Sequence, residues 1–344
     1  MARETLAVKY RPKTFEEVSE QKGIITILKN QLKTGDVKNA YLFTGSAGTG
    51  KTTCARILAN EINHGEGIPE EKDAASNNSV EHIRKIVDDA RYKSVHSLYK
   101  VFIIDECHTL SNAAWQAFLK CLEEPPQKTI FIFCTTDPQK IPNTILSRVQ
   151  RFDFQRITPN GILQRLEQIC KAEKIKYDND ALEYISRFVS GGMRDGISLM
   201  DKCLAYAEKL TFEGVLEVVG SVNFTEVFNL LSCIEAKDKK SAEEAINILH
   251  DVYNAGKDLK QFCLGFVKVL MDLAKYQLTG DYAVCRYVPK SFIEKFLKTT
   301  KLTRYDFLDL IDGLNELNYR IKWDNSPFAL IEFWFMQNTM AKGK

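Results

Sequence analysis

The sequence predicts an α/β domain built on a parallel sheet with helices on both faces, followed by a small helical domain and an all-α domain. Three observations carry that prediction. A glycine-rich phosphate-loop pattern, Gly45 to Thr52, stands between an apolar run and a helical run. Three short runs in the first 150 residues are apolar without polar alternation. After Phe154 such runs stop, and the apolar spacing becomes helical.

Taken in order, Tyr41–Phe43, Val101–Ile104 and Ile130–Phe133 read as central strands, because only a strand covered on both faces can be apolar throughout. The run Thr53–Asn60 after the glycine-rich loop reads as a helix. A helical segment covers about 158–220 and is interrupted by the loop Ser190-Gly191-Gly192. Beyond it, Phe224, Val227, Phe228 and Leu231, then Leu259, Phe262, Cys263, Phe266, Leu270 and Leu273, recur at helical spacing. Ser241 with Glu244 reads as a capping box, and Ser326-Pro327 as an N-cap with proline at the first helical position. The domains are expected at 1–157, 158–220 and 221–344. Within the last, Phe328, Leu330, Ile331, Phe333, Trp334 and Phe335 make a helix apolar on nearly every face, suited to a subunit interface or to the bundle's own core.

Composition excludes several classes. The chain has 344 residues, 44% hydrophobic and 27% charged, which is ordinary for a globular protein and not for a disordered or fibrous one. Lys plus Arg number 47 against 45 Asp plus Glu, a net charge of +2. Binding to nucleic acid by bulk positive charge is excluded, so any such contact must come from a few placed groups. Nine cysteines occur with no C-x-x-C pair, which indicates neither a zinc ribbon nor a disulfide framework. The charged N-terminus lacks a signal-peptide core, and Pro327–Met336 is too short to span a membrane, so a cytoplasmic location is expected.

The segment Gly45-Ser46-Ala47-Gly48-Thr49-Gly50-Lys51-Thr52-Thr53 is suited to cradling ATP. Glycines let backbone N–H groups curl around phosphates at a helix N-terminus, Lys51 reaches the β- and γ-phosphates, and the Thr52 hydroxyl binds Mg2+. The second strand ends in Asp105-Glu106, at the sheet edge where open α/β sheets bind ligands. Asp105 can hold Mg2+ and Glu106 can polarise the attacking water; alone, the pair would also suit a solvated strand end. Asp105-Glu106-Cys107-His108 spells a helicase-type box as well, but a helicase would need a second sheet domain, and the chain after 158 is helical. Thr136, or Thr135, at the end of the third strand can orient the water. Arg148 suits either a surface position or donation to a neighbouring subunit's γ-phosphate, and Arg194, after the Gly191-Gly192 loop, suits a lid arginine or a local ion pair.

Together these residues resemble the AAA+ ATPases, and more closely the gamma/tau subunits of bacterial DNA polymerase III clamp loaders. The resemblance rests on Lys9-Tyr10-Arg11-Pro12-Lys13-Thr14-Phe15, the phosphate loop, Asp73-Ala74-Ala75-Ser76, Asp105 to Ser111, Leu122 to Pro126, Thr135 to Arg148, and Gly191 to Asp195. It covers the first ~200 residues with specific motifs and the remainder by helical character. It implies an ATP-hydrolysing subunit of a five-membered ring that opens a sliding clamp, grips primer–template DNA, and releases the closed clamp on hydrolysis. The helical parts become lid and collar. Arg11 becomes a nucleotide contact, Lys51 and Thr52 the Walker A pair, Asp105 and Glu106 Walker B, Thr136 (or Thr135) sensor 1, Arg148 the finger acting in trans, and Arg194 sensor 2. Other DNA-directed AAA+ machines, such as a branch-migration or recombination-associated ATPase, and a non-hydrolysing loader scaffold are the alternatives.

The chain departs from the family at several points. No cysteine lies between 62 and 72, where the family carries a four-cysteine zinc module, so zinc is not expected. Pro69-Glu70-Glu71-Lys72 replaces an apolar strand, which is expected to be short or absent, and Val149 replaces the cysteine after Arg148. These departures fit a bacterial or a phage-encoded loader equally. The DNA-facing segment after Asp73 holds Asn77, Asn78 and Ser79 with Arg84 and Lys85, so phosphates would be met partly by amides and hydroxyls. Gln116 matches a polar position that relays DNA binding to the catalytic glutamate in some loaders. A length of 344 residues accommodates ATPase, lid and collar without a long tail, as in the short gamma form.

Overall fold

The structure, a computed structural model, describes residues 4–76, 79–94, 97–220, 223–324 and 326–340. Two compact units divide the chain: Met1–Ile169 with Val189–Asp201, and Cys170–Phe188 with Lys202–Lys344.

The first unit begins with a helical turn, α1 (Leu6–Lys9), and α2 (Lys22–Thr34). A five-stranded parallel sheet follows, formed by β1 (Ala40–Thr44), β2 (Glu70–Asp73), β3 (Lys100–Asp105), β4 (Thr129–Thr135) and β5 (Gln150–Asp153) in the order β2-β3-β4-β1-β5. Helices α3 (Lys51–Ile62), α4 (Val80–Asp89), α5 (Asn112–Glu123) and the short α6 (Asn143–Leu146) make the crossovers.

The three apolar runs are the three central strands, as the lack of alternation requires. Along each, successive side chains enter opposite cores. Leu42, Phe102, Ile104, Phe131 and Phe133 pack on one face with Ile83, Trp115 and Phe118 of α4 and α5. Tyr41, Phe43, Ile103 and Ile132 pack on the other with Leu28 of α2 and Ile57 and Leu58 of α3.

The edge strands differ. β2 does form, but over only four residues, Glu-Glu-Lys-Asp, in register with β3 from Glu70 opposite Phe102 to Asp73 opposite Asp105. Its pairing comes from the backbone, and its charges blunt an exposed edge. β5 has no apolar run because it too is an edge; only Phe152 of its four residues is buried.

Chain segments 159–206 supply α7 (Pro159–Glu173), α8 (Asn179–Phe188) and α9 (Met193–Tyr206). The second unit continues with α10 (Phe212–Val219), α11 (Phe224–Ala236), α12 (Lys239–Asn254), α13 (Leu259–Thr279), α14 (Lys290–Thr299), α15 (Arg304–Ile321) and α16 (Pro327–Thr339). The predicted stripes of α11 and α13 are buried at Phe224, Val227, Leu231, Phe262, Cys263, Phe266, Leu270 and Leu273. Asp238, three residues before Ser241, caps α12 by accepting the Ser241 N–H, so the helix starts earlier than the expected Ser241 capping box and Ser241 falls inside it. Ser326 is the N-cap of α16 with Pro327 following, although its hydroxyl makes no capping bond. In α16, Ile331 and Phe335 are fully buried and Trp334 nearly so, while Phe333 and Met336 are exposed. No single helix among the described residues is long and apolar enough to cross a membrane.

Candidate active site

The carboxyl ends of β1, β3 and β4 lie side by side because the sheet is parallel and in register, with Thr44 opposite Thr135 and Asp73 opposite Asp105. Everything that follows those ends is therefore delivered to one edge.

The loop after β1 turns through Gly45, Gly48 and Gly50, at φ 140°, 72° and 102°. A Cβ at Gly45 would lie 2.5 Å from the Phe154 carbonyl oxygen, and one at Gly48 would lie 2.9 Å from the Gly192 Cα. These two glycines are thus required by close approach as well as by conformation. Thr49 Oγ1 donates to the Ser46 carbonyl at 2.9 Å. Lys51, almost wholly buried at the start of α3, donates from Nζ to the carbonyls of Gly45 and Ser46, both at 2.8 Å. Burial holds its pKa below the usual lysine range, against the pull of Cys134, Glu106 and Asp105.

Thr52 Oγ1 donates to Asp105 Oδ2 at 2.8 Å. Burial pushes the Asp105 carboxyl up; hydrogen bonds from Thr52 and the Glu106 N–H oppose the shift, and the Glu106 and Glu71 carboxylates add to it. Two adjacent oxygen donors beside the Glu106 carboxylate suit a hard cation, and Mg2+ commonly takes only one or two protein ligands, its other positions going to phosphates and water. Glu106 itself has a left-handed backbone, φ 47°, and its Oε2 accepts from Thr136 Oγ1 at 3.1 Å. Thr135, the alternative at the end of this strand, is fully buried; its Oγ1 accepts the Asp137 N–H at 3.0 Å and lies 3.1 Å from His108 Nδ1.

A cleft runs from this edge along Ala47–Thr53, Asp105 and Glu106 to Arg11 and Arg194, with apolar walls from Tyr10, Pro12, Val18, Ile157 and Ile197. Arg194 enters it at the start of α9, held close by the Met193 N–H, which donates to the Gly48 carbonyl at 3.0 Å. Burial lowers the Arg11 pKa first, and the nearby positive charges of Arg56 and Arg194 lower it further. Converging cations at a glycine-rich loop favour a polyanion, and the apolar wall beside them favours a planar base.

Of the residues expected from sequence, Arg11, Ala47, Gly48, Thr49, Gly50, Lys51, Thr52, Thr53, Asp105, Glu106 and Arg194 line this cleft, and Thr136 reaches it through Glu106. Arg148 does not. It is exposed just past α6, donating to the Thr144 carbonyl at 2.7 Å and pairing with Glu123 Oε1 at 2.7 Å. Gln116 is exposed on α5 and makes no hydrogen bond with Glu106. Ser79 is the N-cap of α4, accepting the His82 N–H at 3.3 Å, and Arg84 and Lys85 are exposed on that helix; Asn77 and Asn78 lie outside the described residues.

Sequence reasoning passed over Arg156, whose Nε donates to Ser46 Oγ at 3.3 Å, and Arg165, which donates to the Tyr10 carbonyl at 3.1 Å and also lines the cleft. Neither sits in a motif; their only signal is proximity to the Gly-rich loop and the N-terminal segment after folding.

Two family models match the chain: DNA polymerase III, delta subunit, over residues 67–158, and DNA polymerase III clamp loader subunit, ATPase lid domain, over residues 161–209. The chain is 35% identical to the DNA polymerase III subunit tau of Bacillus subtilis, covering 94% of this chain and 61% of that protein. It is 33% identical to the Escherichia coli subunit tau (88% and 52%) and 38% identical to the Haemophilus influenzae subunit tau/gamma (92% and 49%). It therefore spans about half to three-fifths of the length of these relatives. Among solved structures, the Thermotoga maritima RuvB Holliday junction branch migration motor superimposes with a TM-score of 0.52 at 20% identity, over 66% of this chain and 80% of that one. That is a likeness of fold.

Proposed function

This chain belongs to the tau/gamma family of bacterial DNA polymerase III clamp-loader subunits, with the AAA+ fold, and on that premise we propose that it is an ATP-hydrolysing motor of a sliding-clamp loader. One observation carries the proposal above the others: Lys51, Thr52, Asp105, Glu106 and, through Glu106, Thr136 converge at the carboxyl edge of one sheet, with Arg11 and Arg194 across the same cleft.

In this mechanism the loop N–H groups and Lys51 bind the triphosphate, and Tyr10, Pro12 and Ile197 cover the base. Thr52 and Asp105 would hold Mg2+, which supplies charge neutralisation at the β- and γ-phosphates. Glu106 accepts the proton of the attacking water, with Thr136 orienting its carboxylate. Arg194, joined to the loop through Met193, reports the phosphates to the lid. Arg148 is assigned to a neighbouring subunit's nucleotide; its place outside its own cleft, exposed and paired with Glu123, supports that reading.

The proposed division is an ATPase domain at 1–157, a lid at 158–220 and a collar at 221–344, the lid supported by the match over 161–209. Partners would be the other subunits of a pentameric loader, a sliding clamp and primer–template DNA, in the cytoplasm. Ser79, Arg84 and Lys85 are the proposed phosphate contacts.

The deciding experiment is Mg2+-dependent ATP turnover by the chain with its partner subunits, with sliding clamp and primer–template DNA added separately and together. Stimulation by both together is expected. The RuvB-like fold supports a second reading, a branch-migration motor. Stimulation by four-way junction DNA, with none by the clamp, would select it and reject the loader.

A further inference from the structure

Glu106 is held from more than one side. Strand β3 ends at Asp105, the left-handed turn at Glu106 reverses the chain, and the single 3-10 turn Cys107–Thr109 folds back over the strand end. The Thr109 N–H and hydroxyl both donate to the Glu106 carbonyl, at 3.0 and 2.9 Å, which fixes the turn. In consequence His108 Nδ1 lies 3.3 Å from Glu106 Oε2, the oxygen that also accepts from Thr136. Both contacts fall on Oε2; Oε1 has no hydrogen bond to any described residue. The histidine side chain is 17% exposed and the carboxylate 38%, so the anchor is interior and the carboxylate reaches out from it.

We propose that His108 is a positioning residue that, with Thr136, fixes the Glu106 carboxylate through Oε2 and leaves Oε1 to take the proton of the attacking water. This rests on the reading of Glu106 as the general base. A carboxylate attached at one oxygen cannot exchange its two oxygens by rotation, so the basic lone pair keeps one direction.

The surroundings of Nδ1 allow the required donor. Nδ1 lies 3.1 Å from Thr135 Oγ1 and 3.3 Å from Glu106 Oε2, so in the tautomer protonated at Nδ1 the proton faces both a hydroxyl and a carboxylate, of which the charged oxygen draws it more strongly. Thr135 Oγ1 also accepts the Asp137 N–H at 3.0 Å, which occupies one of its lone pairs and leaves it the weaker of the two acceptors. In the chemical step a water O–H bond breaks and its proton bonds to Oε1. The water oxygen bonds to the γ-phosphorus, and the bond from that phosphorus to the β,γ-bridging oxygen breaks, its electron pair leaving with ADP. The fourth letter of the helicase-type box thus acquires a task that needs no helicase.

Single-turnover ATP hydrolysis and ATP binding by the full chain, assembled with its partner subunits, test this for His108→Ala, His108→Asn, His108→Gln, Glu106→Gln and the Glu106→Gln/His108→Ala double variant. His108→Ala is expected to slow hydrolysis about ten- to a hundredfold while ATP affinity stays within about twofold. Asn, whose amide can stand where Nδ1 stands, is expected to recover most of the rate. Gln, with its amide one methylene further out, is expected to stay slow, and this Asn–Gln contrast serves alone if His108→Ala does not fold. In the double variant the histidine change should cost nothing further. A wild-type rate in His108→Ala, a loss confined to ATP affinity, equal rates for Asn and Gln, or an additive double variant would overturn the assignment. If Glu106→Gln itself hydrolyses at the wild-type rate, the general-base reading falls; if it is inactive while His108→Ala is normal, only the histidine's role falls.

Discussion

The cleft and the surface around Arg148 hold their charged groups in opposite ways. In the cleft, Lys51 and Asp105 are withdrawn from water and tied to groups that the sheet itself delivers: Lys51 to two loop carbonyls, Asp105 to Thr52, and Glu106 beside them to Thr136. Arg148 is exposed, and its partners Thr144, Ser147 and Glu123 are local groups that water could replace at small cost. One region is prepared by the fold for a ligand. The other is held by local contacts at the surface and, in the role proposed for it, would act only on a second subunit's nucleotide.

The largest expected effect tests the surface side. Arg148→Ala should lower ATP turnover of the assembled loader about a thousandfold while leaving ATP affinity of the chain within about twofold. Steady-state turnover and equilibrium binding measure the two, and unchanged turnover in the assembly would abolish the contrast. On the prepared side, Lys51→Ala should weaken ATP binding by about a hundredfold, since a buried charge-assisted contact of about 3 kcal/mol is lost. Wild-type affinity for a fluorescent ATP analogue would show that the cleft is not a phosphate site.

Stability separates the regions next. Gly45→Ala combines a φ of 140° with a Cβ only 2.5 Å from the Phe154 carbonyl oxygen, and should cost about 2–3 kcal/mol by denaturant midpoint. Arg148→Ala should change that midpoint by less than about 1 kcal/mol, the usual worth of an exposed ion pair. The smallest effect concerns what the regions share. Cys54 under the loop and Cys121 on the helix that carries Glu123 are both buried, and burial pushes the Cys54 thiol up to about 12. At pH 8 only about one Cys54 in ten thousand is then a thiolate. Neither cysteine should react with Ellman's reagent until the protein is denatured; rapid native labelling of either would show that its region opens.

The central strands and the loop were legible because their signals are local. Val101–Ile104 must be covered on both faces whatever surrounds it, and Gly45–Thr52 encodes its own curvature. The edge strands were not: β2 is held by backbone pairing to β3, and β5 shows only Phe152 as an apolar residue, so neither leaves a pattern in its own letters. The cap of α12 was misplaced for a similar reason, since Asp238 and Ser241 are both competent caps and only the geometry of the turn selects Asp238. Arg156 and Arg165, far from any motif, could be found only once folding had brought them to the loop and to Tyr10.

Sequence alone therefore determined which chemical groups this protein owns and at which strand ends they emerge, because strand burial and loop curvature are short-range consequences of residue type. The tertiary structure decided which groups meet. It chose Thr136 over Thr135 as the partner of Glu106, turned His108 onto the same carboxylate oxygen, brought Arg11 and Arg194 to one cleft and left Arg148 outside it. Those pairings depend on parallel strand register, which joins segments far apart in the chain, and on a left-handed turn at one glutamate, which Thr109 closes locally but which the strand ends around it put to use.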